Sequence, residues 1–201
     1  IKKLAANYLN APIDIEVQSE EAAQKIEHAV IEVREEEKTA AVEKIAVVEN
    51  PDTCIIFCRT KDRVDELHDY LYDREYSVDK LHGGMDQSTR LLVMNDYKRG
   101  DFRYLVATDV AARGIDIENI SLVINYDLPM EKEAYVHRTG RTGRAGLQGK
   151  AVTFITPYEH NFLEAIEEFI GFAIPKVNLP THEEVNAKAE AFDKKMQSRP
   201  Q

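Results

Sequence analysis

Short apolar segments rich in β-branched and aromatic residues alternate with segments of helical periodicity along most of this chain. The strand-like segments lie at 26–34, 53–58, 77–82, 102–108, 120–126 and 150–156. Between them apolar residues recur at helical spacing, as Val64, Leu67 and Leu71 do after Thr60, a favourable helix N-cap. Because parallel strands need a long crossover, usually a helix, this alternation predicts an α/β fold with a mostly parallel sheet and helices on both faces.

The composition limits the size and the setting of the domain. With 201 residues, 43% of them hydrophobic, the chain has enough apolar content for one core plus appendages. Cys54 and Cys58 are predicted to be core thiols, and no metal site is predicted, because no second pair of cysteines or histidines accompanies them. The chain lacks a membrane-length apolar run and the order of a signal peptide, so a cytoplasmic location without membrane contact is expected.

The segment HRTGRTGRAG (residues 137–146, here the arginine segment) carries clustered positive charge in a chain of net charge -10. Arg138, Arg141 and Arg144 are three residues apart, with glycines between them. Planar guanidinium groups bind phosphate oxygens through paired hydrogen bonds. Isolated arginines are often simply solvated, but this spacing favours an anion site. If the helix beginning at Glu131 reaches them, Arg138 and Arg141 lie on one helical face.

A phosphate-binding loop to accompany these arginines is missing from the sequence. Its nearest match, Gly149-Lys150, is followed by Ala151 where the motif requires serine or threonine. Phosphates that reach the arginine segment must therefore be held by another domain.

A second apparent motif, Asp65-Glu66-Leu67-His68, has the letters of an acidic metal-binding box. Such a box has to end a hydrophobic strand so that its carboxylates reach a metal ion, whereas this one lies inside an amphipathic helix. It is predicted to be a solvated helix face.

Four segments together resemble the motifs of one protein family. In chain order they read IIFCRT (55–60), HGGMDQSTR (82–90), LVATDVAARGIDI (105–117) and YVHRTGRTGRAG (135–146). They resemble motifs IV, IVa, V and VI of DEAD-box RNA helicases, and the resemblance covers roughly residues 20–175. It implies the second, C-terminal RecA-like domain of the helicase core, which is a three-layer α/β sandwich.

The resemblance also divides the chain. Residues 1–20 correspond to an interdomain linker from the first RecA-like domain, residues 21–175 to the C-terminal RecA-like helicase domain, and residues 176–201 to a C-terminal extension or linker helix. The phosphate-loop and DEAD motifs of the family belong to the first domain, which this sequence lacks. The chain is therefore expected to be half of an enzyme and inactive alone.

The resemblance assigns the ATP side to the third and fourth segments. Arg141 and Arg144 correspond to catalytic arginines that reach the γ-phosphate when the two domains close. Asp116 corresponds to a carboxylate that accepts hydrogen bonds from the ribose hydroxyls. The less favoured alternative is an aspartate of a surface loop without a ligand. Nucleotide binding and its coupling to the domain interface are further implied for Gly114, His137 and Arg138. ATP is expected with Mg²⁺, whose ligands belong to the first domain.

The RNA side falls on the other loops. Thr108 and Arg90 correspond to residues that bond phosphate oxygens, and Gly83 and Gly84 allow close backbone approach at a helix N-terminus. Secondary candidates are Arg59, Thr60, Gln87 and Arg113. Thr60 also suits a helix cap, so RNA is not the only explanation for it. Contacts to phosphates and 2′-hydroxyls do not read bases, so binding independent of RNA sequence is expected.

For the full-length protein the resemblance implies an ATP-dependent RNA helicase that unwinds short duplexes locally. The expected partners are RNA, the first RecA-like domain and an accessory RNA-binding or dimerisation region beyond residue 201. Two alternatives stay open: the motor half of a superfamily 2 DNA translocase, and a non-catalytic RecA-like scaffold. Stimulation by RNA rather than DNA distinguishes the first alternative. The arginine segment and Asp116 argue against the second, because a scaffold has no need of them.

Overall fold

The computed structural model describes residues 26–113, 116–143 and 148–197. The strands are β1 (Ile26–Glu32), β2 (Cys54–Phe57), β3 (Val78–Leu81), β4 (Tyr104–Ala107), β5 (Leu122–Asn125) and β6 (Gly149–Ile155). The helices are α1 (Lys38–Glu49), α2 (Lys61–Tyr72), α3 (Gln87–Arg99), α4 (Asp109–Ala112), α5 (Lys132–Thr139), α6 (His160–Ile170) and α7 (His182–Gln197). No helix within these ranges is both long and apolar enough to cross a membrane.

The described strands form one sheet in the order β1-β6-β5-β2-β4-β3, and each pairing in it is parallel. Strand β2 lies inside the sheet, where Cys54 is opposite Tyr104 of β4 on one side and Leu122 of β5 on the other. All residues of β2, β4 and β5 are buried, which explains their continuous apolar sequences. The predicted parallel sheet is confirmed.

Alternate residues of β2 face opposite sides of the sheet. Cys54 and Ile56 pack with α1, α2 and α7, whereas Ile55 and Phe57 pack with α3 and α4. Helices α5 and α6 cover the region of β1 and β6 through a third apolar cluster. The result is the predicted three-layer sandwich. Cys54 and Cys58 are buried thiols, as predicted, and burial raises the pKa of both.

Two helices that leave the carboxyl edge of the sheet, where its parallel strands end, begin at side-chain caps. Thr60 Oγ1 accepts a hydrogen bond from Arg63 N–H at 3.3 Å, and Asp86 Oδ1 accepts one from Thr89 N–H at 2.9 Å. Hydrogen bonds from Ser88 and Thr89 lower the pKa of Asp86 to about 2. The carboxylate of Asp86, three residues after Gly83, therefore satisfies an amide of the first turn of α3.

Residues 175–177 continue the sheet beyond its edge strand β1. Val30 N–H donates to the C=O of Pro175, and Val177 N–H donates to the C=O of Val30, both at 2.9 Å. Backbone groups on this part of β1 are therefore paired within the chain and are not left open to another molecule.

Helix α7 lies across α1 and contributes to the core. Its Phe192 is 6% exposed, with its ring 5.7 Å from that of Tyr76 and 5.8 Å from the Arg103 guanidinium. Lys195 Nζ donates to the C=O of Asn50 at 2.8 Å. The segment predicted as an extension or linker helix therefore packs on the helicase domain, and the domain limit at residue 175 stays a prediction.

We expect Phe192→Ala to lower the free energy of unfolding by about 3 kcal/mol, because it removes a buried aromatic ring and leaves a cavity between α7 and the sheet. The matched control is Phe162→Ala on α6, whose side chain is 49% exposed and whose loss should cost less than about 1 kcal/mol. Urea unfolding followed by far-UV circular dichroism measures both. Equal effects of the two changes would contradict a structural role for α7.

Candidate functional site

The loops that carry most of the predicted site residues meet at the carboxyl edge of the sheet. Cys58 N–H donates to the C=O of Ala107 at 2.9 Å, and Thr108 N–H donates to the C=O of Leu81 at 3.2 Å, so the segments after β2, β3 and β4 are adjacent. The predicted residues that the structure describes are Arg59, Thr60, Gly83, Gly84, Gln87, Arg90, Thr108, Arg113, Asp116, His137, Arg138 and Arg141. Arg144, Gly114 and the predicted linker 1–20 lie outside the described residues.

Arg138 is buried, and its guanidinium ties three segments together. Nε and Nη2 each donate to one carboxylate oxygen of Asp109 at 2.6 Å, which is a paired interaction with the first residue of α4. Nη1 donates to Asn125 Oδ1 at 3.2 Å and to the C=O of Asp127 at 2.7 Å. With these bonds made, Arg138 holds α4 and the end of β5 in place and is not free to bind a phosphate.

Arg141 lies in different surroundings from Arg138. Helix α5 ends at Thr139, so Arg141 belongs to the turn that follows and the single helical face considered from the sequence does not form. Its Nη2 donates to the C=O of Ala112 at 3.2 Å, at the last residue of α4, and the side chain is partly exposed. Arg90 Nη2 reaches the neighbouring C=O of Ala111 at 3.5 Å. Predicted ATP-side and RNA-side arginines thus meet on one short helix.

A concave site opens between α4 and α5, lined in part by Arg113, His137, Arg138 and Arg141. Its volume is about 20 Å³, which is room for about one water molecule and far too little for a triphosphate. His137 and Arg113 are exposed at its rim. Among the described residues, this cavity therefore brings arginine side chains together but does not enclose a volume that could hold a triphosphate.

A buried ionic group that the sequence reasoning missed lies beside this site. Asp127, two residues after the end of β5, is 3% exposed, and it accepts hydrogen bonds from Lys38 Nζ at 3.1 Å and from Arg63 Nε at 2.9 Å. Its Oδ2 also accepts the backbone N–H of Arg59 at 2.9 Å. An acidic residue that follows a buried strand, with a lysine in an apolar helix, is the sequence signal that points to it.

The protonation of Asp127 follows from these contacts. Burial alone raises the pKa of a carboxyl group. The Arg59 N–H hydrogen bond and the positive charges of Lys38 and Arg63 outweigh burial, and they hold the pKa of Asp127 below its ordinary value of 3.8. The group is therefore ionised at neutral pH and fixes the backbone of the loop after β2.

The RNA-side candidates form the outer part of the edge. Arg59, Thr60 and Gln87 are exposed, whereas Thr108 is 9% exposed at the start of α4. Arg59 Nη2 donates to the C=O of Leu128 at 3.3 Å and lies 3.4 Å from Glu159 Oε1. These residues offer hydrogen-bond donors along a shallow rim, which suits a backbone ligand better than an enclosed small molecule.

In the described part of the chain, a parallel sheet covered by helices on both faces, with Arg138 and Arg141 at its carboxyl edge, is typical of the RecA-like class of helicase domains. The family described as "Helicase conserved C-terminal domain" matches residues 37–146. The ATP-dependent RNA helicase DbpA of Bacillus subtilis (strain 168) is 58% identical over 202 residues, which is 100% of this chain and 42% of that protein. The ATP-dependent RNA helicase CshA of Listeria monocytogenes is 40% identical, with 93% of this chain and 36% of that protein covered.

Solved structures agree with these relatives. The C-terminal domain of the DEAD-box protein Dbp5 superposes with a TM-score of 0.75 at 30% identity, covering 84% of this chain and 99% of that domain. S. cerevisiae Dbp5 bound to RNA and ADP BeF3 also gives 0.75 at 30% identity, covering 90% of this chain and 48% of that protein. The chain belongs to the helicase C-terminal domain family, as the second RecA-like domain of the DEAD-box type. It spans less than half the length of these curated relatives.

We expect Asp127→Asn to lower the free energy of unfolding by about 2 kcal/mol near neutral pH, because it removes the negative charge that pairs with the buried Lys38 ammonium and with Arg63, while Glu35 remains a partner of Lys38. The folded pKa of Asp127 is lowered, so its stabilisation is complete above 3.8 and is lost as pH falls through the lower folded value. The difference between wild type and variant should therefore shrink as the pH falls below 3.8, the ordinary pKa of this carboxyl group.

Urea unfolding at a series of pH values measures this difference. Asp193→Asn, at an exposed position of α7, is the matched control and should leave stability and its pH dependence nearly unchanged. A difference that stays constant down to the acid limit would show that Asp127 is not the titrating group.

Proposed function

We propose that this chain is the half of an ATP-dependent RNA helicase that supplies arginines and RNA-backbone contacts, and that closure against a first RecA-like domain completes the active site. The observation that carries this proposal is Arg141, partly exposed beside a cavity of only about 20 Å³. An arginine so placed has a use when another surface delivers the phosphates. The DbpA and CshA relatives are named ATP-dependent RNA helicases, which supports the same conclusion.

ATP fits this edge as one side of an interface. When bound it supplies the phosphoryl group, while Arg141 and Arg144 neutralise charge on the γ-phosphate oxygens and the exposed Asp116 accepts hydrogen bonds from the ribose hydroxyls. Arg138 and His137 connect this side to the domain interface, with Gly114 in the adjoining loop. In this proposal the Mg²⁺ ligands belong to the first domain.

RNA occupies the outer rim of the same edge. Arg90 and Thr108 bind phosphate oxygens, and the exposed turn at Gly83 and Gly84 lets the strand approach the backbone. Secondary contacts come from Arg59, Thr60, Gln87 and Arg113. S. cerevisiae Dbp5, to which this fold is similar, is described as bound to RNA and ADP BeF3, which supports RNA as the ligand proposed here. Contacts of this kind are independent of base sequence.

The wider architecture is proposed from the family likeness. Residues 1–20 link the two RecA-like domains, residues 21–175 form the helicase domain, and residues 176–201 lead to an accessory RNA-binding or dimerisation region. The protein acts in the cytoplasm. Closure of the two domains on ATP and RNA bends the bound strand, and reopening follows phosphate release.

Phosphate release tests the half-enzyme proposal. In a malachite-green assay the 201-residue chain should hydrolyse ATP at the background rate, because the cavity beside Arg141 in the described part of the chain has a volume of only about 20 Å³ and the proposal places the phosphate-binding loop in the first domain. The protein that also carries the first RecA-like domain should turn over ATP when RNA is added. Robust turnover by the chain alone would overturn the proposal, and equal stimulation by DNA would favour a DNA translocase.

Arg141→Ala in the two-domain protein should lower the RNA-stimulated kcat for ATP by about 10³-fold or more, as loss of an arginine finger does, with unfolding free energy changed by about 1 kcal/mol or less. Arg138→Ala should instead cost about 2–3 kcal/mol of stability, since it breaks the buried contact with Asp109. Arg99→Ala, at a side chain 61% exposed, is the control and should leave both quantities unchanged. Unchanged turnover in Arg141→Ala would remove it from the active site.

A further inference from the structure

The turn after β3 is held from within by one histidine side chain. His82 is 7% exposed, and its Nδ1 accepts a hydrogen bond from the N–H of Gly84 at 3.0 Å. Its backbone C=O accepts the N–H of Met85 at 3.3 Å. Gly83 lies between His82 and Gly84, and its N–H makes no hydrogen bond to another residue in the described part of the chain. One amide of the turn is therefore available to a ligand.

These contacts fix the tautomer of His82. A backbone N–H can only donate, so Nδ1 must be the unprotonated, accepting nitrogen of the ring. The proton of the neutral imidazole then lies on Nε2, which is 3.1 Å from Asp65 Oδ1 and donates to it. Asp65 thus sets both the tautomer and the orientation of the ring that holds Gly84.

Asp65 comes from α2, within the sequence Asp65-Glu66-Leu67-His68 that was predicted to be a solvated helix face. The helix is confirmed, but the structure corrects the prediction for Asp65. Its carboxylate also accepts a hydrogen bond from Lys80 Nζ at 2.6 Å, and these two partners lower its pKa against a smaller opposing effect of burial. Glu66, the next acid along the helix, is exposed.

The two glycines of the turn have different surroundings. A Cβ atom on Gly84 would lie 3.1 Å from both Cε1 and Nδ1 of His82, closer than ordinary contact, so the turn packs directly on the imidazole ring. A Cβ atom on Gly83 would meet nothing within 4 Å. The turn is therefore supported on the His82 side and open on the Gly83 side, which is where a phosphate can approach.

We propose that His82, oriented by Asp65, is a positioning residue that presents the Gly83 backbone amide to an RNA phosphate. This inference rests on the proposed RNA-binding function of the same edge and adds two residues to it that do not touch the ligand. His82 acts through its Nδ1 acceptor, and Asp65 acts by holding the neutral ring in the tautomer and orientation that turn this acceptor toward the Gly84 N–H.

The positioning role of His82 can be tested with two substitutions, each of which replaces the function of only one ring nitrogen. His82→Asn keeps an acceptor near the Nδ1 position that can take an N–H two residues on, as in an Asx turn. His82→Gln keeps a donor toward Asp65 but offers no such acceptor. In the two-domain protein, His82→Gln should raise the KM for a single-stranded RNA oligonucleotide about tenfold, whereas His82→Asn should stay within about twofold of wild type.

The same assay reports on Asp65. Asp65→Ala should raise the KM for RNA about threefold, because the ring loses its orienting partner, while Glu66→Ala on the same helix should have no effect.

For all four variants kcat at saturating RNA and the KM for ATP should be unchanged, and thermal midpoints should stay within about 4 °C of wild type. Long-range ¹H–¹⁵N correlation spectra of the 201-residue chain should show the Nε2–H tautomer for His82.

Three results would overturn the inference: equal RNA KM values for His82→Asn and His82→Gln, RNA KM changes that follow the thermal midpoints, or an Nδ1–H tautomer. Each leaves the helicase proposal intact as long as RNA stimulates the wild type. Absence of RNA stimulation in the wild type would instead refute the proposed function, while the tautomer measurement would still report on the His82–Asp65 pair.

Discussion

The guanidinium of Arg138 is the contact on which the carboxyl edge of this domain depends. It pairs with the Asp109 carboxylate on α4 and with Asn125 and the C=O of Asp127 at the end of β5, and it lies over the ring of Phe57. A buried charge is tolerated only when its hydrogen bonds are satisfied, so these groups have one mutual arrangement. The segments at Asp109 and at Asp127 are thereby fixed relative to the sheet.

Asp127 extends this rigidity to the other side of the site. Its C=O accepts from Arg138, and its carboxylate accepts from Lys38, Arg63 and the N–H of Arg59. Buried ion pairs add little net stability compared with apolar packing, but they are directional. Asp127 thus holds both Arg59, in the loop after β2, and Arg138, at the start of the arginine segment, in fixed positions.

Helix α4 is the place where the two sides meet most closely. Its first residue pairs with Arg138, and its last two carbonyls accept from Arg90 and Arg141. Arg90 and Arg141 bond to carbonyls of α4 from partly exposed positions, whereas Arg138 makes several hydrogen bonds in the interior. In the function proposed above, a phosphate of ATP or RNA would bind such a surface arginine, while the buried contacts of Arg138 keep the edge folded. Such a layout suits a domain that changes partners while its fold stays constant.

The sequence by itself determined the alternation of strands and helices, the parallel sheet and the family, because these depend on local periodicity and on contiguous motifs. The sequence spacing grouped Arg138 with Arg141 as phosphate-binding candidates, and it predicted Asp65 to lie on a solvated helix face. Only the tertiary structure separated the surroundings of the two arginines and showed that Asp65 contacts His82. Arg138 meets Asp109 across 29 residues and His82 meets Asp65 across 17. Contacts of that range depend on the spatial order of the strands, which a linear pattern does not contain. Burial, which also depends on the tertiary structure, then determines which charged side chains are enclosed in the fold and which stay exposed at the surface.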